Sequence, residues 1–261
     1  MIRTTRYVGI MLKQYYPPTE LNGFISSILI IKKFTTPIKI FPGTGAEIWV
    51  STKALRLSTD HHQQVNKYQL VIPRIDTFTA EPNHGKLMVL RVRHDAVRFL
   101  LPKRILTYTD IPTALADIWQ DPWYKELSKS SFKGLLDCFN ATKVSKQHQL
   151  VDDILAILYR NPTKKINDIA DEMGYSARFI QKEFLKEYGI TPKRYQINCR
   201  LEQLLKAMLA EQDTYRWLET GYYDQSHFYR DFKRYFTMTP SAFLKSHYSF
   251  FYNTKAKFPL R

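Results

Sequence analysis

Two stretches of this chain, GYSARFIQKEFLKEYGITP (residues 174–192) and GYYDQSHFYRDFKRYFTMTP (residues 221–240), follow one pattern. Each opens on Gly-Tyr, runs through an amphipathic segment and closes on Thr-Pro. From Phe184/Phe232 through Pro192/Pro240 the copies align without a gap at a separation of 48. At the glycines the separation is 47, so the second turn carries one extra residue. An internal repeat names the unit from which a fold is built. Two copies are too few for a solenoid, and the constraint is a pair of like units in one chain.

In the first copy, Ile166, Ile169, Ala170 and Met173 form one stripe of a short amphipathic helix. Gly174 follows, where a helix end needs a residue free to adopt positive φ. Ser176 suits the cap of a second helix, Ala177 to Tyr188. That helix is expected to turn Phe179 or Ile180, Phe184 and Leu185 inward and Arg178, Gln181 and Lys182 outward. A helix, a glycine-containing turn and a second helix make the helix-turn-helix pattern, whose second helix lies in a major groove. Arg and Lys match guanine edges and Gln matches adenine, so Arg178, Gln181 and Lys182 are candidate DNA-binding residues.

Thr191 and Pro192 suit the N-cap and first position of a third helix, predicted from 192 to 211. At about 1.5 Å per residue it spans roughly 30 Å, close to one ~34 Å turn of B-DNA. Such a rod would hold two reading helices against successive major-groove faces. In the second copy the reading helix is expected to start at Tyr223 or Asp224, with Phe228 and Phe232 inward. Gln225, Ser226, Tyr229 and Arg230 would face out, and Lys233 and Arg234 would reach phosphates. The spacing makes Phe179, Phe184, Phe228 and Phe232 core residues rather than a base-stacking platform.

The first hundred residues have another texture. GFISSILIIKKF (residues 23–34) reads as a buried strand, and in LMVLRVRHD the alternation of Val89, Arg91 and Arg93 with Leu90 and Val92 suits a strand with one wet face. From about Tyr108 apolar residues recur at helical spacing, and polar residues 141–149 suggest a boundary. The expected division is a β-rich domain with connecting helices over 1–145 and an all-α domain over 146–261, an α+β chain overall. The expected units are a first helix-turn-helix at about 166–188 and a second at about 214–236.

The net charge of +15 favours polyanionic partners. The excess is spread, with 20 Lys/Arg against 11 Asp/Glu in residues 1–145 and 19 against 13 in the rest, so charge does not locate a site. No apolar run reaches the eighteen or so residues that a membrane helix needs, and the N-terminus lacks a signal-peptide core. A cytoplasmic location is expected. Cys138 and Cys199 are too few for a disulfide framework or zinc site. His61, His62, His84 and His94 show no metal-ligand spacing, and no nucleophile elbow, phosphate loop or dinucleotide fingerprint is present. The expectation is a non-enzyme with no cofactor and no metal.

The segment from about 148 to 247 resembles the DNA-binding domain of AraC/XylS-type transcription regulators, on the residues GYYDQSHFYRDFKRYFTMTPSAF and their upstream copy. The upstream half resembles, more loosely, the small-barrel sensory domains of that family. The resemblance implies seven helices, two helix-turn-helix units on a long connecting helix, and sequence-specific binding to double-stranded DNA. It implies RNA polymerase as a further partner, a small-molecule or protein effector at the N-terminal domain, and self-association as a homodimer. The family usually has an apolar residue and Ala five and four positions before the glycine. Ile169-Ala170 match, whereas the second copy has Arg216-Trp217, and Thr237 replaces a usual Gly. The first unit is therefore expected to dominate base reading. Two alternatives stay open: the second unit as a protein-interaction surface, or a barrel enzyme fused to a DNA anchor.

Overall fold

Among the residues that the computed structural model describes, branched and aromatic side chains build nine strands ahead of a helical C-terminal part. The structure describes residues 3–7, 10–102, 104–141, 146–211 and 222–246. The strands are β1 (Arg3–Tyr7), β2 (Ile10–Tyr15), β3 (Ile25–Phe34), β4 (Ile38–Ile40), β5 (Ala46–Ser58), β6 (Gln63–Val71), β7 (Phe78–Ala80), β8 (Leu87–Val92) and β9 (Thr113–Ala114). They form one antiparallel sheet in the order β1-β2-β3-β8-β5-β6-β9, with β7 bridging β4 and β5 beside it. Bulges interrupt the β2–β3, β3–β8 and β5–β6 pairings and bend the sheet. No pairing among the described residues joins β1 to β9, so the barrel-like sheet stays open.

Strand β8 departs from the expectation of one wet face. Leu87, Met88, Val89 and Leu90 are all buried. The strand lies between β3 and β5 and is covered on both faces, a position that favours a continuous apolar run over alternation. Its partly buried Arg91 is held by Glu47 at 3.0 Å.

The helices are α1 (Val97–Leu100), α2 (Leu115–Ile118), α3 (Lys133–Ala141), α4 (Lys146–Arg160), α5 (Ile166–Met173), α6 (Ala177–Tyr188), α7 (Pro192–Glu211), α8 (Gln225–Phe236) and α9 (Pro240–Lys245). No helix among the described residues is long and apolar enough to cross a membrane. One face of the sheet (Ile48, Val50, Leu70, Met88, Leu90) shares a continuous core with Val151, Ile154 and Leu158 of α4, Ile169 of α5, Ile180 and Phe184 of α6 and Tyr195 of α7. The chain packs as two compact units, residues 1–199 and 200–261. The long helix α7 crosses that division.

Candidate nucleic-acid interface

Helix α5 buries Ile169 and Ala170 and ends on Gly174, whose φ of 73° and ψ of 26° are left-handed. The Tyr175 N–H reaches back to the Ala170 carbonyl at 2.9 Å, which satisfies an end carbonyl and fixes the turn. Ser176 Oγ then accepts from the Phe179 N–H at 3.2 Å and caps α6. Ile180, Phe184 and Tyr188, four residues apart, form the buried stripe of that helix. Arg178, Gln181 and Lys182 lie exposed together on the opposite face.

The acidic side chains of α6 are turned the other way. Glu187 is buried and pairs with Arg104 at 3.3 Å, and buried Glu183 is met by Lys186 at 3.4 Å. The solvent face of the helix is thus positive through side-chain placement, although the helix sequence carries both signs. Two expected core residues are not core. Phe179 is 39% exposed and Leu185 46% exposed. Each lies about 100° round the helix from a buried neighbour, Ile180 and Phe184, which take the inward positions. Tyr175 is 45% exposed and stacks on Phe179 with ring centroids 5.2 Å apart and planes 19° from parallel.

In the second copy Asp224 caps α8, its Oδ1 accepting from the His227 N–H at 2.7 Å. Phe228, Phe232, Tyr235 and Phe236 are buried, and the rings of Phe232 and Phe236 pack on Phe243 of α9. Gln225, Ser226, Arg230, Lys233 and Arg234 are exposed. Tyr229 is only half-exposed and sets its ring edge-on to Phe228 at 5.4 Å. Arg230 Nε donates back to the Ser226 carbonyl at 3.4 Å, so it lies along its own helix. His227 stands 3.6 Å from Asp231. Tyr222 is buried under the Arg200 guanidinium at 5.3 Å, and burial pushes its hydroxyl pKa upward. The extra residue of this copy, Tyr223, is 95% exposed. Arg216, Trp217 and the helix expected around them lie outside the described residues.

Sequence reasoning left out the polar contacts that tie the first unit to the sheet-bearing part of its compact unit. Asn198 Nδ2 donates to the carbonyls of Gly43 at 3.2 Å and Arg74 at 3.0 Å. Thr109 Oγ1 donates to the Tyr188 carbonyl at 3.4 Å, and the Tyr188 hydroxyl donates to the His94 carbonyl at 3.4 Å. The His94 ring stacks on Tyr159 with centroids 3.7 Å apart. No sequence signal marks such partners, because the separations run from 65 to 155 residues. Among the described residues no group of three or more His, Cys, Asp or Glu is placed to hold a metal ion.

Residues 169–246 match a family model described as a helix-turn-helix domain. The activator RhaS of Pectobacterium carotovorum subsp. carotovorum (strain PC1) is 24% identical over 146 residues, 52% of this chain and 49% of RhaS. The uncharacterized regulator YidL of Escherichia coli (strain K12) is 24% identical over 46% of this chain and 42% of its own. The chain therefore spans about half the length of the curated relatives it matches. The crystal structure of ToxT from Vibrio cholerae O395 superposes with a TM-score of 0.53 over 88% of this chain and 98% of ToxT, at 13% identity, a likeness of fold. Over residues 169–246 the family match and the folded helices together define a helix-turn-helix domain, similar to part of the regulators RhaS and YidL.

Proposed function

We propose that the protein is a transcription regulator that binds double-stranded DNA sequence-specifically, with α6 as the principal reading helix and α8 as the subordinate one. The observation that carries this reading is the exposed Arg178, Gln181 and Lys182 face of α6, cleared of negative charge by the burial of Glu183 and Glu187. These side chains have the donors that match guanine and adenine edges. On α8 the half-covered Tyr229 and Arg230, laid along its own helix, leave Lys233 and Arg234, suited to phosphates, as the cations best placed for DNA.

Regulation belongs to the same proposal. Asn198, Thr109 and Tyr188 tie the first unit to the sheet-bearing part, so an effector or second copy engaging the sheet would reposition α6. RNA polymerase would be the protein partner on DNA, and homodimer formation would run through the sheet part. A non-enzymatic, cytoplasmic role follows from this reading.

The test exchanges Arg178 and Arg230 singly for Ala against a duplex selected by the chain. Arg178→Ala should cost about 1–3 kcal/mol and relax preference at one base position. Arg230→Ala should weaken binding less and evenly across sequences. Equal losses would make the units equivalent readers, and no loss from either would overturn the assignment of α6.

A further inference from the structure

The exposed, stacked Tyr175–Phe179 pair lies beside the polar face of α6 and takes no part in its proposed polar contacts. Its geometry is fixed on both sides: the Tyr175 N–H is held by the Ala170 carbonyl and the Phe179 N–H by Ser176 Oγ. Phe179 sits in the first turn of α6 and Tyr175 in the turn just before it, at the end of a reading helix that meets base edges. Phe179 lies three residues from the exposed Lys182 on the helix surface, so apolar surface and a cation share one patch. A partner for that patch must be anionic yet carry apolar points at its surface. In the major groove one base edge fits this description, the C5-methyl of thymine.

We infer that Phe179, braced by Tyr175, is a specificity-determining residue that contacts a thymine methyl on the Lys182 flank of the site. The inference rests on the proposed DNA reading by α6. The second copy places Tyr222 after its glycine, as Tyr175 follows Gly174, and His227 at the position of Phe179 in the 48-residue register. His227 is a polar ring beside Asp231 and stands edge-on to Tyr222 at 5.3 Å, and Tyr222 is buried where Tyr175 is exposed. Methyl reading is therefore a property of the first unit alone, and it separates the two otherwise similar helices.

The experiment uses the 261-residue chain and a duplex enriched by it from a random pool. Each thymine is replaced singly by deoxyuridine, which lacks only the methyl. One replacement should weaken binding by about threefold to tenfold, the scale of one buried methyl with its packing. Phe179→Ala should bind the parent duplex more weakly and lose sensitivity to that replacement, while Phe179→Leu should keep part of it. Because Phe179 is exposed, the Ala variant should keep its melting temperature. If no thymine responds, or the same one responds equally in Phe179→Ala, the inference fails while the DNA reading stands. A change of oligomeric state in Phe179→Ala without a change in uridine response would assign the patch to contact between copies and overturn it. If no duplex is enriched at all, both readings fall.

Discussion

Thr237 ends α8 at φ 56° and ψ 13°, the conformation that Gly189 takes at the matching end of α6. A residue with a Cβ in the left-handed region costs roughly 1–2 kcal/mol, and a β-branched one is especially disfavoured. Thr237→Gly should therefore stabilise residues 222–246 by about 1 kcal/mol, read as a higher denaturant midpoint of the chain. A lower midpoint would show that the threonine side chain contributes more than its backbone strain costs. The same scale shows what a sequence pattern conveys. Ser176, Thr191 and Thr239 were legible as caps because a cap is a local contact between a side chain and an N–H three residues on. Phe179 and Leu185 were not legible as exposed. Helical spacing admits either of two adjacent apolar residues, and packing against distant elements chooses between them.

At the scale of elements, α1 and α4 meet through one ion pair, Arg98 Nε to Asp152 Oδ1 at 3.0 Å. Burial raises the Asp152 carboxyl to about 6, outweighing the attraction of the Arg98 guanidinium. The sign of its effect on stability follows from that direction. The folded chain holds this proton more tightly than the unfolded chain, whose carboxyl titrates near 3.9. The contribution is full below about pH 4 and is lost as pH rises through about 6. The stability of the wild type relative to Asp152→Asn should therefore fall between pH 4 and pH 7 in denaturation curves. A difference that moves in favour of the wild type across that window would mean that the guanidinium outweighs burial. Strand β8 teaches a related lesson. Its Val-Leu-Arg-Val pattern suggests alternation, yet its central place between β3 and β5 buries both faces. Pairing order is set by contacts between residues 36 or more apart, and no local pattern contains it.

For the whole molecule, a net charge of +15 gives general attraction to a polyanion, and side-chain placement gives it direction. The duplicated motif made the C-terminal helices readable from sequence because each unit is built from local caps and one apolar stripe. The packing of the first unit with the sheet in residues 1–199 was not readable, since it rests on Arg74, Thr109 and Asn198 meeting partners far along the chain. The second unit bears the altered Arg216-Trp217 pair and the polar His227 where the first has Ile169-Ala170 and the apolar Phe179. These differences argue for unequal reading by two units of one design. The most direct measurement is selection of random duplexes by the 261-residue chain at near-physiological salt, followed by sequencing. The account predicts one strongly enriched box containing a thymine, with a weaker preference about one helical turn away. Retention of DNA that falls steeply with added salt and enriches no sequence would contradict it.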